Sequence, residues 1–291
     1  MWYTTEIVKR ALTIQDISCV GQCSTTVALP LISACGVECA ILPPALLSNH
    51  TGGFRTWSFA DLTGELAKVE AKWVEQGIRF DAFYTGYVCE SHIDPILSIM
   101  RTCANPGALR IVDPAMADNG VLYTGFAADF PQKMARLCAG ADYLLPNLTE
   151  AAFLVGEDPQ AFGRAPARPG RAEVERLIAK LHALGAKNVI LTGVSFAEGE
   201  LGTAVSDGTR IEYDFNPRLP RQSHGTGDIF ASVFAGAILR GKTALESAAL
   251  AADIVCEAIE ATEDDHWYGV SFERTIPSLA KAFQEKEGDN V

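Results

Sequence analysis

The chain contains 291 residues, of which 48% are hydrophobic and 21% are charged, a balance that permits a large buried core. Its 36 acidic residues outnumber its 24 basic residues, and the formal net charge of −12 argues against a nucleic-acid binder, which needs a basic face to displace counterions. The N-terminus lacks a basic leader with an apolar stretch and a cleavage site, and no apolar run approaches the length of a membrane span. We therefore expect a cytoplasmic protein without a membrane partner.

The eight cysteines lie mostly in apolar segments, and none forms a Cys-x-x-Cys pair. Two pairs are spaced by four residues, Cys19/Cys23 and Cys35/Cys39, but neither is followed by a histidine or a second pair at zinc-site spacing. The pattern predicts free buried thiols in a reducing compartment rather than a metal site.

Short apolar runs alternate with longer amphipathic stretches along most of the chain, which predicts strands alternating with helices. The predicted strands are, in chain order, Ala11–Gln15, Val37–Leu42, Phe80–Thr85, Leu109–Val112, Asp142–Leu145 and Asn188–Thr192. Helices are predicted at Ala60–Gln76, with Ser58 as its N-cap and Asp61 in its first turn, and at Arg171–Leu184. Strands joined by helices predict right-handed crossovers and a mostly parallel sheet with helices on both faces.

After Thr192 the alternation of strands and helices changes. Leu201–Ser206 and Thr209–Asp214 are joined by Asp207-Gly208, an arrangement that predicts a β-hairpin. Two amphipathic stretches, Thr226–Leu239 and Ala244–Ala261, then predict two helices.

The segment 163–170, rich in Pro and Arg, is predicted as a surface loop and as the least structured part of the chain. Neither an internal repeat nor a linker divides the sequence. We therefore predict one α/β domain that spans residues 1–291.

Ligands of such sheets bind beyond the carboxyl ends of the strands. Polar residues occur at or just beyond the ends of the predicted strands, namely Asp16, Asn49 to Thr51, Tyr87, Asp113, Asn147 and Thr192. This placement predicts a ligand site at that edge of the sheet.

The segment Ser223-His224-Gly225-Thr226-Gly227-Asp228 precedes an amphipathic helix of small and apolar residues. Two glycines around a threonine at a helix start allow backbone N–H groups to point outward, and together with the helix dipole they form an anion site suited to a phosphoryl group. A carboxylate at Asp228 could accept the proton of an attacking alcohol there. A capped helix start without catalytic function explains the motif equally well when it is considered alone, and it is neither a Walker P-loop nor a Rossmann fingerprint.

Three oxygen-bearing residues upstream favour the catalytic interpretation. Asp113 follows one predicted strand, and Asn147 and Glu150 follow the next. Mg²⁺ needs few hard oxygen ligands from a protein when phosphates and water complete its shell. Each of the three could be a turn or cap residue, but together with the glycine motif they predict phosphoryl transfer from a nucleotide.

The order of these motifs resembles the vitamin B6 kinases of the ribokinase-like superfamily. The motifs that carry the resemblance, from about residue 14 to about residue 260, are Asn49-His50-Thr51-Gly52, Thr85-Gly86-Tyr87, Asp113-Pro114, Pro146-Asn147-x-x-Glu150 and Gly225-Thr226-Gly227-Asp228. The last motif is shared by the whole superfamily, whereas the first two point to the B6 branch. Residues 48–54 and 23–30 look most like the bacterial pyridoxamine kinase group.

The resemblance implies a role for each matching position. Asp228 would be the catalytic base, and Gly225, Thr226 and Gly227 would form the anion hole. The remaining implied roles are substrate binding by Asp16, His50, Thr51, Tyr87 and Tyr123, nucleotide binding by Asn147, Thr192 and Thr226, and Mg²⁺ binding by Asp113 and Glu150. It also implies ATP and Mg²⁺ as cofactors and a homodimer, and it leaves open a requirement for a monovalent cation such as K⁺.

The sequence departs from the resemblance at Ser18-Cys19-Val20-Gly21-Gln22-Cys23-Ser24, where we expect Ser-Gly-Phe-Gly-Arg-Cys-Ser. Loss of the aromatic residue and the arginine could change ring stacking or substrate preference. His50 fits a substrate contact and a structural hydrogen bond equally well. For His224 we favour a cap of its own turn over a phosphate contact.

Three functions therefore remain open. The leading hypothesis is an ATP-dependent kinase for the 5′-hydroxymethyl group of pyridoxal, pyridoxine or pyridoxamine. A hydroxymethylpyrimidine kinase of thiamine synthesis shares the implied fold and the catalytic motif. A non-catalytic B6-binding protein is the third, although such a protein has no need of a base at Asp228.

Overall fold

Thirteen strands and ten α-helices occur in the computed structural model, which describes residues 8–163, 168–220 and 224–284. The strands are β1 (Arg10–Ile14), β2 (Ile17–Ser18), β3 (Glu38–Ile41), β4 (Ala45–Leu47), β5 (Phe59–Asp61), β6 (Phe80–Thr85), β7 (Ala104–Val112), β8 (Ala117–Asp118), β9 (Val121–Leu122), β10 (Tyr143–Leu144), β11 (Asn188–Val194), β12 (Glu200–Ser206) and β13 (Ile211–Pro217). The helices are α1 (Thr25–Ala34), α2 (Thr63–Glu75), α3 (Glu90–Thr102), α4 (Phe130–Cys138), α5 (Leu148–Val155), α6 (Gln160–Gly163), α7 (Arg171–Ala183), α8 (Thr226–Leu239), α9 (Ala244–Glu260) and α10 (Ile276–Lys281). A short 3₁₀ helix covers Phe272–Thr275.

The central sheet has eight strands in the order β13-β12-β11-β10-β7-β6-β1-β3. The six strands from β3 to β11 in this order are parallel, and β12 and β13 add an antiparallel hairpin at one edge. The predicted α/β fold with a mostly parallel sheet is therefore confirmed. All six parallel strands end at the same edge, which brings the residues that follow them together.

Helices cover both faces of this sheet, as predicted. Alternate side chains of each strand point to opposite faces, so Leu12 and Ile14 of β1 enter one core and Ala11 enters the other. The first core contains apolar side chains of α2, α3, α4, α5 and α7. The second contains those of α1, α8, α9 and α10.

The predicted helix Ala60–Gln76 was wrong at its start. Residues 59–61 form β5, and the helix begins at Thr63 after Leu62 as N-cap. Asp61 ends the strand, and its carboxylate accepts the N–H of Thr63 at 2.8 Å. Ser58 is therefore no cap, because β5 pairs with β4 and extends the chain past it.

Several strand boundaries differ from the prediction, and two strands begin two or more residues away from their predicted start. The second hairpin strand begins at Ile211 rather than Thr209, since the Asp207 carboxylate accepts the N–H groups of Thr209 and Arg210 and holds them in the turn. Strand β7 begins at Ala104, and the ladder to β6 resumes at Leu109, so residues 105–108 bulge out of it. The Pro106-Gly107 pair in the bulge explains why the sequence indicated a strand only from Leu109.

Two small sheets were not predicted. Strands β2, β4 and β5 form a three-stranded sheet, and β8 pairs with β9. Elements of two or three residues carry too little periodicity to be recognised in a sequence. They matter because they shape the loops around the carboxyl edge of the central sheet.

All eight cysteines are free, as predicted, and Cys35, Cys103 and Cys138 are fully buried, whereas Cys19 is exposed. Of the predicted loop 163–170, residues 164–167 lie outside the described residues, and 168–170 lead irregularly into α7. Across the described ranges, none of the helices is both long enough and apolar enough to cross a bilayer.

Candidate active site

Helix α8 begins at the glycine motif, where the backbone takes a conformation that requires glycine. Gly225 is the N-cap with φ +86°, in the left-handed region. A side chain on Gly225 would overlap the carbonyl oxygen of Gln22, whereas a side chain on Gly227 would meet nothing within 4 Å. The helix start is thus held against the loop between β2 and α1 on one side and is open on the other, as an anion site requires.

Asp228 lies in the first turn of α8 beside this opening. Burial raises its pKa to about 7, the backbone N–H of Ser24 opposes that increase by donating to the carboxylate, and the charge of Asp16 adds to it. A carboxylate with a pKa near neutrality suits a general base, because it takes up a proton readily while a substantial fraction of it is ionised at neutral pH.

A cavity of about 450 Å³ opens in front of the helix start. It is lined by all the residues that the sequence singled out for the nucleotide, the metal and the catalytic motif, and by Tyr123, which was predicted for the substrate. The residues of the first three groups are Asp113, Asn147, Glu150, Thr192, Gly225, Thr226, Gly227 and Asp228. The carboxyl ends of the parallel strands and the start of α8 therefore converge as predicted.

Asn147 and Glu150 occupy this cavity through a capping box at the start of α5. The Asn147 side chain accepts the Glu150 N–H at 2.9 Å, and Glu150 accepts the Asn147 N–H at 2.9 Å. The other Glu150 oxygen accepts the N–H of Met116 at 3.1 Å. Thr192, at the end of β11, joins the same wall through a bridge to Asn147. The side chains of Asn147 and Glu150 therefore cap α5 as well as line the cavity.

Burial is the largest contribution to the raised pKa values of the carboxyl groups in this wall of the cavity. Asp113 is 8% exposed, and its burial, with the charges of Glu150 and Asp228, raises its pKa well above the ordinary value. Burial raises the pKa of Glu150 to about 8, although three backbone N–H groups oppose that increase. These acidic groups repel one another and would be stabilised by a cation between them.

This charge arrangement fits a divalent cation shared with a phosphate ligand. Asp113 and Glu150 supply hard carboxylate oxygens, the type that Mg²⁺ prefers. Within the described part of the chain, however, no three His, Cys, Asp or Glu side chains are grouped so that they could hold a metal ion. The protein could therefore supply only part of a Mg²⁺ shell, with phosphates and water supplying the rest.

The far end of the cavity is apolar and was missed by the sequence analysis. It lies between the β12–β13 hairpin and α9, and its residues include Leu201, Pro217, Ala252, Val255, Cys256 and Ile259. The α9 members recur at helical spacing, but a face packed in a core gives the same pattern. Asp118 also lines the cavity and was not assigned a role.

Asp16 and Tyr87, predicted for the substrate, do not line this cavity. Asp16 is 3% exposed, and Ser18 donates to its carboxylate at 2.8 Å. Its charge raises the pKa of Asp228 and, separately, that of Tyr87, so Asp16 lies near both groups. Tyr87 is half-buried, and its ring lies 5.2 Å from the ring of Phe126.

His50 lies in the loop between β4 and β5, and both of its ring nitrogens are used by the backbone. Nδ1 accepts the Gly52 N–H at 2.9 Å, so Nε2 carries the proton and donates to the Tyr268 carbonyl at 2.9 Å. Its burial lowers the pKa of its imidazole. In this structure His50 therefore shapes the loop that carries the half-buried Thr51.

Tyr123, predicted for the substrate, lines the cavity together with the metal candidates. The residue as a whole is 37% exposed, but its phenol group is buried, which raises its pKa well above the ordinary value, and the charges of Glu150, Asp118, Asp113 and Asp228 add to the effect. The structure thus places Tyr123 on the side of the cavity rather than beside Asp16 and Tyr87.

Comparison with known proteins identifies relatives along nearly the whole chain. The sequence profile of the phosphomethylpyrimidine kinase family matches residues 29–269. A pyridoxal kinase from Rubrobacter xylanophilus is 29% identical over 266 residues, which cover 86% of this chain and 87% of the relative.

Two solved structures have the same fold. A putative phosphomethylpyrimidine kinase from Bacteroides thetaiotaomicron, crystallised in one form with pyridoxal, is 31% identical with a TM-score of 0.87, over 94% of this chain and 96% of that chain. A pyridoxal kinase from Lactobacillus plantarum is also 31% identical, with a TM-score of 0.84 over 94% of this chain and 97% of that chain.

Proposed function

The chain belongs to the phosphomethylpyrimidine kinase family, and from this premise we propose that it transfers a phosphoryl group from ATP to the 5′-hydroxymethyl group of a vitamin B6 compound. The observation that carries the proposal is the position of Asp228, which lines the cavity beside the open start of α8 and lies near Asp16. The pyridoxal kinases among the relatives and the structure that contains pyridoxal support B6 as the substrate class.

The reaction follows from this geometry. The Asp228 carboxylate takes the proton of the substrate hydroxyl as its oxygen attacks the γ-phosphorus of ATP. The bond between the γ-phosphorus and the bridging oxygen breaks, and ADP leaves with that electron pair. Backbone N–H groups of residues 225–227 stabilise the charge on the phosphoryl oxygens, and Asp228 releases its proton to solvent after the transfer.

The cavity has the two regions that a nucleoside triphosphate needs. Its apolar end between the β12–β13 hairpin and α9 suits a planar base, and its polar end meets the start of α8. We assign Asn147, Thr192 and Thr226 to the nucleotide and Asp113 and Glu150 to Mg²⁺, which would neutralise phosphate charge. The resemblance leaves a monovalent cation such as K⁺ open.

The proposal assigns five residues to substrate binding, namely Asp16, His50, Thr51, Tyr87 and Tyr123. Asp16 supports it best, because it lies near Asp228 without lining the cavity, and Tyr87 lies near Asp16 in turn. His50 would act by holding the loop of Thr51, since its nitrogens are bound to the backbone.

The second candidate function is a hydroxymethylpyrimidine kinase. The family description and the Bacteroides relative named as a putative phosphomethylpyrimidine kinase favour it. Both substrates are hydroxymethylated nitrogen heterocycles, so the same base and anion site would serve either. A binding protein without activity is less consistent with a base of raised pKa beside an anion site.

The test is ADP release from MgATP, with pyridoxal, pyridoxine, pyridoxamine and hydroxymethylpyrimidine as separate acceptors. We expect turnover with at least one B6 compound and a ~10²–10⁴-fold lower kcat in Asp228→Ala, the usual scale for loss of a general base. Asp94→Asn, at an exposed position of α3, is the matched control and should keep full activity.

Three outcomes separate the candidates. Turnover with hydroxymethylpyrimidine alone would keep the mechanism and reject the B6 assignment. Near-normal turnover in Asp228→Ala would remove Asp228 as the base. Failure of the wild type with all four acceptors would reject both kinase functions.

Two further parts of the proposal rest on the resemblance. We propose a homodimer, which light scattering after gel filtration measures directly. We also propose a cytoplasmic site of action, which fractionation of the source cells would test.

A further inference from the structure

His224 lies immediately before the N-cap of α8, and its side chain lines the cavity. Its imidazole faces the loop between β4 and β5: a Cβ placed on Gly52 would lie only 2.9 Å from His224 Nδ1. The ring also lies 5.4 Å from the ring of His50. Packing against this loop therefore positions the imidazole at the entrance to the anion site.

His224 differs from the other side chains that line the cavity in the sign of the charge that it can carry. Four carboxylates line it, those of Asp113, Asp118, Glu150 and Asp228. Among the described residues that line it, none is lysine or arginine, and His224 is the one side chain able to carry positive charge. The negative charge of Asp118 is near enough to His224 for the two to attract. A triphosphate placed here would meet amide and hydroxyl donors but few positively charged side chains.

His224 also differs from the four other histidines in its hydrogen bonds. His50, His92, His182 and His266 each use a ring nitrogen in a hydrogen bond within the protein. No residue in the described ranges forms a hydrogen bond with the His224 side chain, so the cap that the sequence suggested is not formed. An imidazole carries at least one N–H in either protonation state, and this N–H is available to a ligand.

We propose that His224 is a further catalytic residue, whose ring N–H donates a hydrogen bond to a terminal phosphoryl oxygen of the bound nucleoside triphosphate. The inference rests on the proposed kinase function and adds a side-chain donor to the backbone N–H groups of the anion site. As negative charge moves over the phosphoryl oxygens during transfer, such a donor stabilises it.

Gly52, in the loop between β4 and β5, lies directly against the His224 imidazole. The absence of a side chain at Gly52 allows the loop to touch the imidazole, and the same residue donates its N–H to His50. The contact holds the ring without using its nitrogens. Gly52→Ala should therefore displace the imidazole and reproduce, in weaker form, the effect of removing it.

The experiment compares nucleotides with and without a terminal phosphate. Calorimetry would measure the Kd of AMP-PCP and of ADP, each with Mg²⁺, for the wild type, His224→Ala and His224→Asn. We expect a ~10–100-fold weaker Kd for AMP-PCP in His224→Ala, the scale of a lost hydrogen bond to a charged group. ADP should bind unchanged, and His224→Asn, which retains an N–H donor, should recover part of the loss.

Equal weakening of AMP-PCP and ADP would overturn the proposal, because it would show that His224 only shapes the nucleotide site. Unchanged binding of both would overturn it as well. Failure of the wild type to bind either nucleotide would reject the kinase function and this inference together. Selective loss of AMP-PCP affinity in a protein that phosphorylates none of the tested acceptors would support the phosphate contact and reject only the assigned substrate. Thermal unfolding of each variant provides the check for intact folding.

Discussion

The two sides of Asp228 are built in different ways. On the proposed nucleotide side, Asp113 and Asn147 follow strands of the central sheet and Thr192 lies near the end of β11, and the wall continues into the start of α8. On the substrate side, Asp16 and His50 lie in connections supported by the small sheet β2-β4-β5. The first side is rich in buried carboxylates, and the second has one, Asp16.

This difference separates two requirements of a kinase. The phosphate side must hold charge in a fixed arrangement, which rigid strand ends and a helix start provide. The substrate side must fit one particular ring, and loops can vary without disturbing the sheet. Variants on the two sides should therefore fail in different ways.

The largest effect should come from the two glycines of the anion site. Gly225→Ala places a side chain against the Gln22 carbonyl in a left-handed conformation, so we expect a loss of ~1–3 kcal/mol or more in the free energy of unfolding. Gly227→Ala has free space for its methyl group and should unfold like the wild type. Its methyl group would occupy the phosphoryl position, and kcat should fall by ~10²-fold, the scale of a disturbed anion hole.

Chemical denaturation and steady-state kinetics on both variants provide the measurement. Normal activity in Gly227→Ala would show that no phosphoryl group approaches that face. Equal stability of the two variants would show that Gly225 is not constrained as described.

A smaller effect should appear in the pH dependence of stability. In the folded, ligand-free protein Asp228 and Glu150 have pKa values of about 7 and about 8, whereas unfolded carboxyls titrate near their ordinary values. At pH values between the ordinary carboxyl pKa and about 8, the folded state therefore binds more protons than the unfolded state through these two groups. Their contribution to the free energy of unfolding rises as the pH falls from about 8 to about 5. We expect Tm to increase by on the order of 5 °C over this range.

In Asp228→Asn, the Tm should depend less on pH than in the wild type below about pH 7, because the titrating carboxyl is absent. The same deprotonation should make kcat/KM of the wild type rise with pH up to about 7, because the base must be ionised. Because the lowered pKa values of His50 and His92 oppose the trend at acidic pH, the wild type is compared with Asp228→Asn, and an identical pH dependence of Tm in the two proteins would contradict the raised pKa of Asp228.

The smallest effect should come from the single carboxylate of the substrate side. The charge of Asp16 raises the pKa of Asp228, so Asp16→Asn should move the acid limb of the kcat/KM profile to lower pH. The Kd of ADP should stay unchanged, since Asp16 does not line the cavity. Ser18→Ala, which removes a hydrogen bond to Asp16 and keeps its charge, is the control, and an equal shift in that variant would argue against a charge effect.

The sequence predicted the nucleotide side better than the substrate side, for a physical reason. Strand ends of a parallel sheet meet at one edge whatever the loops do, so Asp113, Asn147 and Thr192 could be grouped from their positions alone. The start of α8 at Thr226 was predicted at the right residue, because it depends on a local motif of glycines in the sequence. Tyr123, however, lies in the connection after β9, and its place beside Glu150 depends on long-range packing.

The substrate side and the apolar end of the cavity depend on contacts that no local pattern reports. The hydrogen bond of His50 to Tyr268 joins distant parts of the chain, and it decides that the histidine is structural. Val255 and Ile259 of α9 look like ordinary core positions until the hairpin is placed opposite them. The free imidazole of His224 could likewise be recognised only after its neighbours were placed.

The closeness of the Ser24 backbone N–H to Asp228, which lowers the pKa of that carboxyl, has a consequence for synthesis of the protein. Ser24 precedes α1 near the start of the chain, and α8 lies in its last quarter, yet α1 and α8 pack together in one core. A nascent chain that has completed most of the central sheet on the ribosome would still lack the base and the anion site. Premature termination products would therefore be inert as kinases, however much of the sheet they had formed.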